Sequence, residues 1–243
     1  MATKKESGST SKLETVRIKK FEDKIAHIRI VGDSPLICHN WSQKNKLQLP
    51  AGQQVLEEMG VKKSITDKTE HAGPMECFIN SLYWISGKPD EYTQEAFEDA
   101  ITNGARFGFR VESFKSAALD AAYSKKWIPN KKSVQGLFFI KPDAIDGEGF
   151  NLVEIKGDKP TMREDIVILS GMSRKPDLRW RGEFRNWYCD LNISYDADGV
   201  YSISDIVNMF NAGGRYSGVG EYRPEKSGQF GMFHVEVNGE GKK

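Results

Sequence analysis

From Asn186 to Val237 the chain spells out a strand, a helix and a second strand, and no other run constrains the fold as tightly. In NWYCDLNISYD, Trp187, Cys189, Leu191, Ile193 and Tyr195 alternate with Tyr188, Asp190, Asn192 and Ser194. One face is therefore apolar and the other polar, the two-residue period of a strand half-buried in a sheet. After a turn at Asp198-Gly199 the period changes. In SISDIVNMFNAGG, Ile203, Ile206, Val207 and Phe210 recur at i, i+3, i+4 and i+7, which predicts an amphipathic helix. Ser202 with Asp205 three residues on predicts its capped start, and Gly213 suits a left-handed C-terminal cap. MFHVEV, with Phe233, Val235 and Val237 on one face, predicts the closing strand.

Between that helix and strand lies AGGRYSGVGEYRPEKSGQFG, with five glycines from Gly213 to Gly228 interleaved with Arg215, Tyr216, Tyr222, Arg223 and Lys226. A phosphate-binding P-loop is excluded. Glu225 stands where its second glycine should be, and the run follows a helix and precedes a strand, the reverse of P-loop context. Two readings remain: a flap that lies against a polymer, or a long turn whose glycines only satisfy backbone geometry.

The rest of the chain repeats the order more loosely. KIAHIRIVGDSPLICHN begins as an alternating strand, and VESFKSAALDAAY predicts a helix with Ser113 as N-cap. GLFFIKP, NLVEIKG and EDIVIL predict strands, and SRKPDLRWRGEFR reads as an arginine-rich connection. QQVLEEMG and MECFINSLYWI are helix-like and fall within an expected insertion over about 41–104. Polar residues 1–20 and 238–243 read as loose tails around a single domain at 21–237. The expected class is α+β: a ferredoxin-like, RRM-like antiparallel sheet with helices on one face and a helical insertion.

Composition narrows the function. The chain has 243 residues and a formal net charge of +1, unlike a histone-like binder, but the charge is polarised. Ala105–Lys132 holds seven basic residues against two acidic ones, Ser170–Trp187 five against two, and acids gather between Glu57 and Asp99. That pattern fits an anionic ligand on one face and a complementary neighbour on another. Cys38, Cys77 and Cys189 form neither a disulfide framework nor a zinc pattern, and no apolar run nears the roughly 18 residues of a membrane span. With no secretory leader apparent, the expectation is a reducing cytoplasm without membrane association. No metal, cofactor or catalytic motif stands out, so catalysis is not assigned.

Three segments, in order, resemble the RAMP superfamily, RRM-like proteins that form the RNA-gripping backbone of CRISPR effector complexes. IRIVGDSPLICHN is similar to their opening strand with its Pro-Leu turn. FRVESFKSAALDAA resembles their P-x-S-S-x-K-G-x-x-R helix start, with Ser113 and Lys115 at matching positions. FNAGGRYSGVGEY looks like their glycine-rich loop, and the glycine loop with RPEKSGQFG is also similar to a group of tailed-phage proteins. The family's late helix arginine is Asp120 or an alanine here, and the loop is longer.

The resemblance implies a homo-oligomer that grips single-stranded RNA or DNA, in a bacterial host cytoplasm if phage-encoded. Cations for phosphates, aromatic rings for bases and glycine backbone for close approach are what such binding requires. The residues expected to supply them are Lys44, Arg110, Ser113, Lys115, Arg179, Trp180, Arg181, Gly214, Arg215, Tyr216, Tyr222, Arg223 and Lys226. The alternative is a structural subunit of a phage or CRISPR-related complex in which the same fold only stacks copies. RNA and DNA remain undistinguished at this point.

Overall fold

The computed structural model describes residues 22–40, 73–168 and 176–236. Lys44, the QQVLEEMG segment and both tails lie outside the described residues. The frame is an eight-stranded antiparallel sheet whose longest ladder joins β1 (Asp23–Gly32) to β10 (Trp187–Asp196), in register from Asp23↔Asp196 to Val31↔Tyr188. Alternation decides which way each side chain faces. Ile28 and Ile30 pair with Leu191 and Cys189 on the core face, whereas His27 and Arg29 pair with Asn192 and Asp190 on the open face.

Strand β11 (Phe233–Glu236) adds to the free side of β1. The other side of β10 takes two strands end to end: β5 (Phe138–Lys141) on its second half and β7 (Asn151–Gly157) on its first two residues. From β7 the sheet continues to β4 (Phe107–Arg110) and β3 (Tyr83–Trp84), while the short β6 (Ala144–Ile145) also pairs with β7. The last part of the expected insertion thus supplies a sheet edge. It contributes α1 (Pro74–Ser81), β3 and α2 (Gln94–Thr102), so MECFINSLYWI is a helix that ends at Ser81 and gives way to a strand.

Helices α3 (Val111–Ser124) and α4 (Ile203–Tyr216) cover the core face. Phe114 of α3 meets Trp187, Phe233 and Phe109, and Phe210 of α4 meets Phe138, so rings from both helices are buried between helix and sheet. The Ser202–Asp205 capping box forms as expected. The other end of α4 differs from expectation. Gly213 does not cap the helix; it and Gly214 are helical, and the helix runs on to Tyr216. A methyl group on Gly213 would lie 2.8 Å from the Ala118 nitrogen, and one on Gly214 only 1.9 Å from the Phe233 carbonyl oxygen. These glycines are there for close approach to α3 and β11, not for a turn.

A second, three-stranded sheet has the order β2-β9-β8 and consists of β2 (Leu36–Cys38), β9 (Pro176–Phe184) and β8 (Thr161–Ile168). IRIVGDSPLICHN is accordingly two strands in two sheets, broken at Asp33–Pro35. The arginine-rich segment is, from Pro176 on, strand rather than connection. α1 lies against β9, where the Gly182 amide donates to Ser81 Oγ at 2.7 Å.

Gly214→Ala should cost about 1–3 kcal/mol through overpacking, because a backbone carbonyl has no rotamer with which to yield. Urea denaturation measures it, and an unchanged midpoint would show that α4 and β11 can separate freely.

Candidate nucleic-acid interface

The first turns of α3 and the glycine-rich turn come together around a cleft of about 410 Å³. Arg110, Ser113, Ser116 and Asp120 line one side, and Gly218, Gly220 and Arg223 the other. Arg110 occupies the N-cap position of α3, so Ser113 is not the cap but the third helical residue, with its hydroxyl on the cleft side. The Arg110 guanidinium stacks 4.1 Å from the Phe150 ring centroid and pairs with Glu112 at 3.6 Å; its buried Nε has no hydrogen-bond partner. Arg223 donates to Glu225 at 2.9 Å and to the Gly220 carbonyl at 3.0 Å. Gly220 takes φ +79, and a methyl there would strike the Ile37 carbonyl, so this wall is bare backbone.

Each cation here already has a carboxylate. Glu112 and Glu225 are exposed, however, and exposed pairs are worth about 0–1 kcal/mol. Exchanging them for phosphate oxygens is therefore cheap.

The glycine segment itself is a tied-down ribbon. Val219 donates to Gly231, Phe230 to Tyr222, Glu221 to Ile37 and Gly231 to Pro35, so it is bonded to itself and to β2 and the turn before it. Beneath it lies a buried ion network. Arg181, 2% exposed, reaches Asp165 at 3.5 Å and Glu221 at 3.7 Å, and its Nε donates to His39 Nδ1 at 3.4 Å. Burial, with Arg181 beside it, lowers the His39 pKa, which keeps Nδ1 free to accept. Arg163 bridges Asp165 and Glu183 and stacks on Phe230.

Several expected ligand contacts are corrected by this arrangement. Arg181 is internal and Tyr222 half-buried, with the guanidinium 5.4 Å from the Tyr222 ring. Trp180 cannot sit between the Arg179 and Arg181 guanidinium groups, because neighbours along β9 face opposite sides; its indole donates to Glu164 instead, and Arg179 pairs with Asp177. Gly214 is packed under Phe233. Lys115 is not in the cleft: it lies two residues, about 200°, around α3 from Ser113, donates to the Gln135 carbonyl at 2.6 Å and stands over Phe139. Its burial lowers its pKa. Lys226 is exposed at the ribbon's tip, beside Glu225.

Arg215 and Tyr216 are exposed at the end of α4, where Lys125 stands 4.3 Å from the Tyr216 ring. The neighbouring Tyr123, Lys125, Trp127 and Lys131 were not among the expected site residues, although YSKKWIPNKK carries the aromatic–basic interleaving openly.

The open face of the main sheet is charge-matched. Arg29 and Lys156 flank Asp190 and Arg106 pairs with Glu154, while the His234 ring nitrogen is hydrogen-bonded with Asp33 at 2.6 Å. Cys38 and Cys189 are buried and their thiols pushed far up, which removes both as nucleophiles. Among the described residues there is no cluster of three or more metal-ligating side chains and no helix long and apolar enough to cross a membrane. The described residues form a mixed α+β structure, a large antiparallel sheet with four α-helices. No family model and no curated protein matches it.

Two outcomes follow from these charges. Arg181→Met should destabilise the protein by about 1–3 kcal/mol, read by urea denaturation, since the buried Asp165 keeps Arg163 but loses its second guanidinium; a loss within error would mean that Arg163 alone satisfies Asp165. Hydrogen bonds from Arg29 and Lys156 hold the Asp190 carboxyl below its usual value, and Arg106 does the same for Glu154. Folded values below unfolded ones give stability that is complete above about pH 5 and lost as pH falls through the depressed values. The D190N/E154Q protein should thus lose less stability than the parent on acidification, and parallel declines would refute the assignment.

Proposed function

We propose that this chain is an oligomerising single-strand nucleic-acid-binding protein that grips RNA or single-stranded DNA where the start of α3 meets the glycine-rich turn. The cleft carries this reading: it gathers Arg110, Ser113 and Arg223 from segments more than a hundred residues apart, beside a wall of glycine backbone that admits close approach. The strand order β11-β1-β10-β5, antiparallel throughout with α3 and α4 on one face, supports the ferredoxin-like, RRM-like plan. The same juxtaposition of helix start and glycine turn supports kinship with the RAMP superfamily and its phage relatives.

One observation favours the structural-subunit reading. On one face of the β8–β9 ribbon, Ile166 and Ile168 are 74% and 71% exposed, a surface that a neighbouring subunit would cover.

Fluorescence anisotropy with labelled 20-nucleotide strands tests the first reading. Affinity should fall with salt, and the R110A/R223A protein should bind more weakly with a slope shallower by about 1.4, two phosphate contacts at roughly 0.7 each. Absence of binding by folded protein at low salt rejects the reading. Mass photometry without nucleic acid addresses the second: rings or filaments of bare protein favour it, and monomers that array only on a strand exclude it.

A further inference from the structure

We infer that the C-terminal ends of α3 and α4 form a base-stacking platform for an unpaired nucleic-acid strand, built by Trp127 and Tyr216 around Lys125 and flanked by Tyr123. The inference rests on the nucleic-acid reading above and places the bases at a site separate from the glycine turn.

Tyr123, Trp127 and Tyr216 are 48%, 46% and 50% exposed, three large rings presented to solvent near two adjoining helix ends. Lys125 Nζ stands 5.4 Å from the Trp127 ring and 4.3 Å from Tyr216, and Lys131 Nζ 5.7 Å from Tyr123. Around the rings the charge is unbalanced. Lys125, Lys126, Lys131 and Lys132 fall within eight residues and Arg215 precedes Tyr216, whereas Asp120 is the acid paired here, with Lys131. Exposed rings set among cations in excess suit a polyanion whose units carry flat faces; a lipid surface or an acidic peptide offers the charge without the stacking partner. Asp120 also lines the cleft, so cleft and platform adjoin along α3.

The backbone at this corner points the same way. Lys126 and Trp127 donate to the Tyr123 and Ala122 carbonyls, the paired bonds of a Schellman cap, with Lys126 in the left-handed position at φ 59. Glycine is the usual residue there because a side chain is strained in that region. A lysine at that position adds a cation to the run that carries Tyr123 and Trp127, at the expense of stability.

Anisotropy with two 20-unit strands, one bearing bases and one abasic throughout, separates stacking from charge. The parent should bind the base-bearing strand at least about tenfold more tightly, from about 1–3 kcal/mol per stacked base. W127A/Y216A should lose that preference while binding the abasic strand as the parent does, and Tyr216→Phe should retain it. Lys126→Gly should raise the melting temperature yet weaken binding of both strands. If the parent binds both strands equally, or W127A/Y216A keeps the preference, the platform is refuted and the cleft reading stands. If the folded parent binds neither, both fail together.

Discussion

The last turn of α4 has no side chain where it meets its two neighbours. At Gly213 it rests on the backbone of α3 at Ala117–Ala118, and at Gly214 on the backbone of β11 at Phe233. This contact sets where the chain leaves α4. The chain leaves α4 beside the first turns of α3, so Gly218–Gly220 and Arg223 of the ribbon face Arg110 and Ser113 across the cleft. Were the helix axes held a side chain further apart, Phe114 would lose its simultaneous contacts with Trp187 and Phe233. Interiors packed to crystal-like density transmit such a displacement instead of absorbing it.

Charge is handled in three different ways. Across the open sheet face it is matched pair by pair, in exposed bridges that contribute solubility more than stability. Under the ribbon Arg181, Asp165 and Glu183 are buried, and through Arg163 and the more exposed Glu221 their network ties the second sheet to the glycine segment. At the helix ends it is left in cationic excess, beside exposed rings. A near-zero total conceals all three arrangements, and the third gives an anion a reason to approach.

Much of the frame was legible in the sequence. The two-residue alternation of β10 and the capping box and stripe of α4 are local signals, and each formed where its residues indicated. What stayed hidden depends on partners distant in sequence. Composition cannot separate a glycine needed for a turn from one needed for close approach, so Gly213 and Gly214 read as loop while the left-handed positions fall at Gly218, Gly220 and Gly231. Leu36–Cys38 continues the pattern of the preceding strand, and only its pairing with Gly182–Phe184 assigns it to another sheet. Of the expected site, Arg110, Ser113 and Arg223 converge; Lys115, Trp180, Arg181, Gly214 and Tyr222 are engaged elsewhere, because side-chain direction on a helix or strand outweighs nearness in sequence.

Hydrogen bonds from Val219, Glu221, Phe230 and Gly231 fix the ribbon at both ends and along its middle. Glycine-rich segments ordinarily surrender much conformational freedom when a ligand immobilises them. Here that entropy is already spent during folding, so a molecule docking against this wall meets a surface shaped in advance and needs to organise little beyond the tips of two arginines.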